Sequence, residues 1–222
     1  MKYSIVMLLL ISFFGSVSAA PGGGHHKTAI YDYHDFDNSN IQSKTFSRYH
    51  AGMVYDEVWS FDRTSPGEVV RTEIATDSFG AVTRCVVNVF QATPESYNWT
   101  QNSRCDGSVI PPVLISTTTY HPSVVLLTDE MTPGVAWGSA GKMQTVSSPD
   151  NYYKDKYEII AIEDVTVPAG TFTGCMKMHK LRDYAGLFTR IEWICPDAGL
   201  VKRVHAGNML MELTDVTYSN SQ

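Results

Sequence analysis

The chain has 222 residues and a formal charge of −6 at neutral pH, with 23 acidic against 17 basic side chains and 43% hydrophobic residues. A mildly acidic chain with scattered Lys and Arg lacks the basic stripe that a nucleic-acid partner requires. The length and apolar content suffice for one large β domain or two small ones.

Met1–Ala19 carries Lys2, an uncharged run from Ile5 to Phe14, and then Gly15-Ser16-Val17-Ser18-Ala19. A positive start, a short apolar run and a small-x-small site are the parts of a secretory signal peptide. Such a run falls short of the roughly 20 residues that a membrane-spanning helix needs. No later segment is longer, and no Cys follows the run to accept a lipid. The expectation is cleavage after Ala19 or Ala20 and a soluble exported protein, periplasmic or secreted, without a membrane span.

Residues 20–44 open with Ala20-Pro21-Gly22-Gly23-Gly24-His25-His26 and continue into Tyr31-Asp32-Tyr33-His34-Asp35-Phe36-Asp37. Three successive glycines cost much backbone entropy on ordering, so this stretch reads as a flexible N-terminal segment. Imidazoles beside Asp35 and Asp37 are suitable zinc or copper ligands. A flexible segment fixes no coordination geometry, however, and no metal is assigned.

From Met53 to Gln91 the pattern is strand after strand. Tyr55, Trp59 and Phe61 share one parity; Val70, Thr72 and Ile74 share a face; Thr83, Cys85, Val87 and Val89 alternate with Arg84 and Asn88. Ser65-Pro66-Gly67 and Ser78-Phe79-Gly80 separate these runs, which is the signature of an antiparallel sheet. Pro111-Pro112 suggests a boundary, giving an N-terminal β half over 45–110 and a C-terminal β half over 111–222. Val124–Thr128 reads as a short strand, Tyr157–Val167 as a longer one, and Met209–Tyr218 as the last. Gly138-Ser139-Ala140-Gly141-Lys142 is no phosphate loop, because Ala136 occupies the first glycine position and Met143 follows the lysine.

Residues 171–181 and 187–195 form two strand-like arms around Tyr184-Ala185-Gly186. A hairpin turning at Ala185 sets Cys175 directly opposite Cys195, at a separation that a disulfide spans. Cys85 and Cys105 flank a second turn region at the same spacing. Four cysteines allow three connectivities, and pairing 85–105 with 175–195 closes each local hairpin. The expected architecture is all-β, with strongly curved antiparallel sheets or an incomplete barrel built from successive hairpins.

The stretch Val165, Val167, Pro168, Ala169, Gly170 and Phe172, followed by Trp193, Pro196, Gly199, Leu200, Val201 and Lys202, carries a resemblance. It is similar to V-x-V-P-A-G-x-F…W-Y-A-P-G-x-G-L-V-K, the motif of a family of exported bacterial β-domain proteins, many of them lipoproteins of unknown function. Pro133, Gly134 and Trp137 upstream and Glu212-Leu213 downstream extend the likeness to about residues 125–217. Cys195 and Asp197 stand where that family often has Ala and Gly. The resemblance implies an antiparallel β domain of the cell envelope and no catalytic residues, since the motif consists of turn and core positions.

Function classes follow from what the residues offer. There is no Gly-x-Ser-x-Gly elbow, no Cys-x-x-Cys, and no helical His pair for a metal. No catalytic, cofactor-binding or metal residue is assigned, and a hydrolase built on distant carboxylates is the lesser alternative. The leading expectation is a non-catalytic binding or carrier module whose curved sheet holds a hydrophobic or lipid-like ligand, with Met176, Met178, Met209 and Met211 as adaptable side chains. The alternative is a structural or interaction module that pairs with an envelope protein through exposed sheet edges or the aromatic N-terminal segment.

Overall fold

A computed structural model gives the fold and describes residues 40–219, save 64, 130, 147, 184–186 and 207–208. The signal peptide, the histidines at 25, 26 and 34, and the turn at Ala185 lie outside the described residues. Twelve strands follow in order: β1 (Ile41–His50), β2 (Met53–Asp62), β3 (Glu68–Thr76), β4 (Val82–Ala92), β5 (Ser96–Asp106), β6 (Val113–Thr128), β7 (Ala136–Thr145), β8 (Asn151–Val167), β9 (Gly170–Asp183), β10 (Leu187–Cys195), β11 (Gly199–His205) and β12 (Met209–Tyr218). Each pairs antiparallel with its neighbours in sequence, and β1 closes the ring on β12. The result is a closed up-and-down barrel with no helix among the described residues.

Local chemistry explains the meander. Ala51 and Gly52 both take positive φ between β1 and β2, as a two-residue hairpin turn requires. Asp77 Oδ1 accepts the amides of Phe79 and Ala81 at 2.9 Å and so closes the β3–β4 turn. Cys85 is bonded to Cys105 and Cys175 to Cys195, the preferred connectivity, each bond joining neighbouring strands.

Closure corrects three expectations. Among the described residues every strand has a neighbour on both sides, so the sheet presents no whole edge strand to a partner. Ile41 and Lys44, assigned to the flexible segment, lie in β1 and are buried. Pro111-Pro112 sits in the β5–β6 connection of a continuous ring, so the two halves expected on either side of it share one wall and one interior.

The wall opens at two seams. The β6–β7 ladder ends at His121↔Lys142, just before Pro122, which has no amide to donate. Beyond it, side chains serve the exposed backbone: Ser139 Oγ accepts the Val125 amide at 2.8 Å, and Trp137 Nε1 donates to the Val125 carbonyl at 3.3 Å. Gly141 belongs to the same seam, because a Cβ there would come within 2.5 Å of the His121 carbonyl oxygen. At the second seam β11 meets β12 only over Lys202–His205. Here the Lys44 ammonium donates to the Ala198 carbonyl and, at 3.4 Å, to that of Leu200.

The interior is layered. Toward the end with the β6–β7, β8–β9 and β10–β11 connections it is apolar, filled by residues such as Met131, Val165, Val167, Ala198 and Val201. Toward the opposite end the strands turn charged side chains inward. On β3 and β4 the face carrying Val70, Thr72 and Ile74 is half-buried on the outside, while Glu73 and Asn88 are buried within. The rim of that same end exposes apolar side chains, with Phe79 93% and Ile110 98% accessible and Val113, Leu114, Ile115 and Val146 nearby in the fold.

Candidate functional site: a charged interior cavity

Strand alternation builds the site. Successive side chains point to opposite faces, so residues two apart share the interior. On β3 that rule places Arg71 and Glu73 together, on β9 Lys180 and Arg182, and on β10 Arg190 and Glu192. Each lies beside a partner from the next strand.

The first cluster spans β1–β4. Arg71 Nε donates to Glu73 Oε1 at 2.8 Å, Asn88 Nδ2 to the same oxygen at 2.7 Å, and Arg84 Nη1 lies 2.8 Å from Glu73 Oε2. Arg84 Nη1 also donates to Glu57 Oε1 at 2.9 Å, where the Trp59 indole donates at 2.8 Å, and Arg48 sits 3.3 Å from Glu57 Oε2. The Arg71 guanidinium is sandwiched between the rings of Trp59 and Phe90, 4.1 and 4.7 Å from their centroids, the cation–π arrangement that suits a weakly hydrated planar cation.

The second cluster spans β8–β11. Arg182 grips Asp155 through Nε (2.7 Å) and Nη2 (2.5 Å), Tyr157 Oη donates to Asp155 Oδ2 at 3.0 Å, and Lys180 Nζ is 3.4 Å away. Arg203 Nε donates to Glu192 Oε1 at 2.7 Å, and Arg190 Nε lies 3.0 Å from that same oxygen. Glu192 therefore serves two guanidiniums with one oxygen. Among the described residues, every one of these four carboxylates is flanked by two cations.

The titration behaviour follows from this crowding. Burial by itself would raise the carboxyl of Glu73, but Arg71, Arg84 and Arg203 outweigh it and hold it at about 2. Glu192 is likewise held at about 2, because Arg190, Arg203 and Lys180 overcome its burial. The cations divide: against their burial, the carboxylates beside them raise Arg84 and Arg182, whereas Lys180 and Arg190 are lowered. Burial, reinforced by Arg190 and Arg182, takes the Lys180 ammonium well below its ordinary value. Burial also brings the Arg190 guanidinium down to about 10 despite Glu192, with Arg203 and Arg182 adding to the drop.

Between the clusters lies a cavity of about 180 Å³. Its charged lining consists of Arg71, Arg84, Lys180, Arg182, Arg190 and Arg203 with the carboxylates of Glu73 and Glu192. Aromatic and aliphatic side chains complete the lining, with Phe90 stacked on Tyr97 at 5.3 Å, Trp99, Leu127 and Ile194. Arg182 lies 4.9 Å from the Trp99 ring and Arg71 4.7 Å from that of Phe90, so cations and rings are interleaved. An arrangement of this kind can hold a small molecule that has both a polar and an apolar part.

Of the residues singled out by sequence, Met178, Gly199 and Leu200 line this site and the others lie elsewhere in the barrel. Met178 lines the cavity, Met176 and Met211 are buried in the core, and Met209 is half-buried at the start of β12. Of the motif, Gly199 and Leu200 border the cavity, while Pro168 and Pro196 stand in turns and Gly170 opens β9 at φ 136°. Phe172 packs against the core. Trp193 Nε1 donates to Glu163 Oε1 at 2.6 Å between the ammonium groups of Lys177 and Lys202. The two disulfides brace the wall. None of the guanidiniums or carboxylates of the interior was singled out by sequence.

Comparison with known proteins places the fold. No protein-family model and no curated sequence matches the chain. Among solved structures, it is similar to a candidate exported protein with a YmcC-like fold from Bacteroides fragilis, 16% identical over 85% of this chain and 100% of that one, with a TM-score of 0.57. It is also similar to a candidate lipoprotein from Parabacteroides distasonis, 16% identical over 82% of this chain and 97% of that one, with a TM-score of 0.54. At that identity the shared property is the barrel.

Proposed function

We propose that the protein is an exported, non-catalytic binding or carrier module of the cell envelope that holds a small molecule inside its barrel. One observation carries the reading: an interior cavity of about 180 Å³ lined by charged and aromatic side chains. An engineered apolar cavity of about 150 Å³ accepts benzene, so this one suits a single ring or a short chain. The hydrophobic or lipid-like ligand expected from sequence is thereby narrowed in size, since a diacyl lipid needs far more room. Export is supported by the signal-like start, the two disulfides and the descriptions of the two similar structures.

The test is native mass spectrometry on protein exported to the periplasm and purified without detergent, before and after organic extraction. A removable extra mass of a small organic molecule is the expected result. A clean apo mass, together with no uptake of ring-sized probes, would overturn the reading. A second reading, a module that docks on an envelope partner, is favoured by the exposed apolar rim around Phe79, Ile110 and Ile115. Cross-linking from that rim in whole cells would then recover one reproducible partner.

A further inference from the structure

The interior holds more positive charge than it can neutralise. Six guanidiniums, those of Arg48, Arg71, Arg84, Arg182, Arg190 and Arg203, meet four carboxylates, those of Glu57, Glu73, Asp155 and Glu192. Lys180 adds a seventh basic group to the same wall. Guanidinium stays charged under ordinary conditions, and a buried charge without a counter-charge is costly. The chain as a whole is acidic, at −6, so this local excess runs against its overall composition.

The shortage is greatest at one place. Arg190 and Arg203, on adjacent strands, share a single oxygen of Glu192 as their one close ion-pair partner among the described residues, and Arg203 acts on Glu73 only at longer range. Both line the cavity, together with the aromatic and aliphatic side chains of Phe90, Trp99, Leu127 and Ile194. A guanidinium presents a planar fork of donors that matches the two oxygens of a carboxylate or similar acid group.

We propose that the cavity binds a small organic acid, whose anionic group sits against Arg190 and Arg203 and whose ring-sized apolar body packs on Phe90, Trp99, Leu127 and Ile194. This rests on the binding reading above and specifies its ligand class. A monoanion offsets one of the two guanidinium charges that the interior carboxylates leave over, and it does so where Arg190 and Arg203 share one oxygen. The volume sets the size: an acid of one ring or a short chain fits, and a long acyl chain does not.

The test is a heteronuclear NMR titration of the mature protein with benzoate and with its neutral counterpart benzamide, following the indole N–H of Trp99. Charge-assisted hydrogen bonds are worth more than neutral ones, so benzoate is expected to bind about ten- to a hundred-fold more tightly. Arg190→Gln is expected to weaken benzoate at least about ten-fold and to leave benzamide unchanged. Sulfate, an anion without an apolar body, is expected to compete weakly; equal affinity for sulfate and benzoate overturns the organic-acid assignment. Benzamide binding as tightly as benzoate also overturns it, while leaving the binding module standing. Binding of no probe to a protein with an intact urea transition overturns both. Should Arg190→Gln fail to fold, the comparison of probes on the unaltered protein decides the matter alone.

Discussion

The charge excess predicts an asymmetry that a balanced ion pair would not show. In Glu192→Gln, Arg190 and Arg203 lose the one carboxylate that pairs them. Removing one partner of a buried pair and stranding the other typically costs about 3–5 kcal/mol, and here two guanidiniums are stranded, so the upper part of that range is expected. In Arg190→Met the carboxylate keeps Arg203, whose Nε bond at 2.7 Å is the better aligned of the two. A cation that burial has already brought down to about 10 is also removed. The expected cost is at most about 1 kcal/mol, because a desolvated charge is exchanged for an apolar side chain of similar reach. Urea unfolding at neutral pH measures both, provided that the slope is unchanged so that midpoints report stability. Against a typical total of about 5–15 kcal/mol the two outcomes are readily separated. Equal losses in both variants would mean that the interior is balanced and that the reasoning fails.

Further predictions follow from the same groups. The carboxyls of Glu73 and Glu192 are held at about 2 against an ordinary 4.5. The unfolded chain therefore takes up those protons first, so the stabilisation is complete above about pH 4.5 and is lost as pH falls toward 2. Each contributes on the order of 3 kcal/mol, and urea midpoints across that window should fall steeply in the native protein and less in Glu192→Gln. Arg182→Met should cost about 3–5 kcal/mol by leaving Asp155 with only Lys180 and Tyr157, whereas Lys180→Met should be neutral or stabilising; thermal unfolding of the pair would contradict this if the order reversed. Removing Cys175–Cys195, with its sequence separation of 20, should lower stability by about 3 kcal/mol; an unchanged denaturation midpoint in the Cys175→Ala/Cys195→Ala protein would count against a stabilising bond.

Sequence reading reached the fold because its signals are local. Turn residues, strand periodicity and the twenty-residue spacing within each cysteine pair determine neighbouring hairpins, and a meander consists of neighbouring hairpins. Closure was not visible, since the pairing Ile41↔Tyr218 joins positions with no local relation. The site was missed for a different reason. A run such as Val70, Thr72 and Ile74 is ordinarily read as the face that carries the core, but on β3 it faces outward and Glu73 is buried within. Charged doublets two residues apart, Arg71 with Glu73, Lys180 with Arg182 and Arg190 with Glu192, were the available signal. They recur on one face of three strands, which a purely solvent-facing surface does not require.

The ring closure has a consequence for how the molecule is made. All pairings but one join strands adjacent in the chain, and the exception links the first strand to the last. During synthesis β1 emerges early, yet its second neighbour is complete only when residues 209–218 have arrived. Every earlier species is an open sheet with two unsatisfied borders, and such borders recruit other chains. Joining the ends costs an entropy that grows only slowly with the intervening length. The hazard therefore lies in the waiting time before β12 arrives, and a chain shortened before Met209 would stay in the aggregation-prone open form indefinitely.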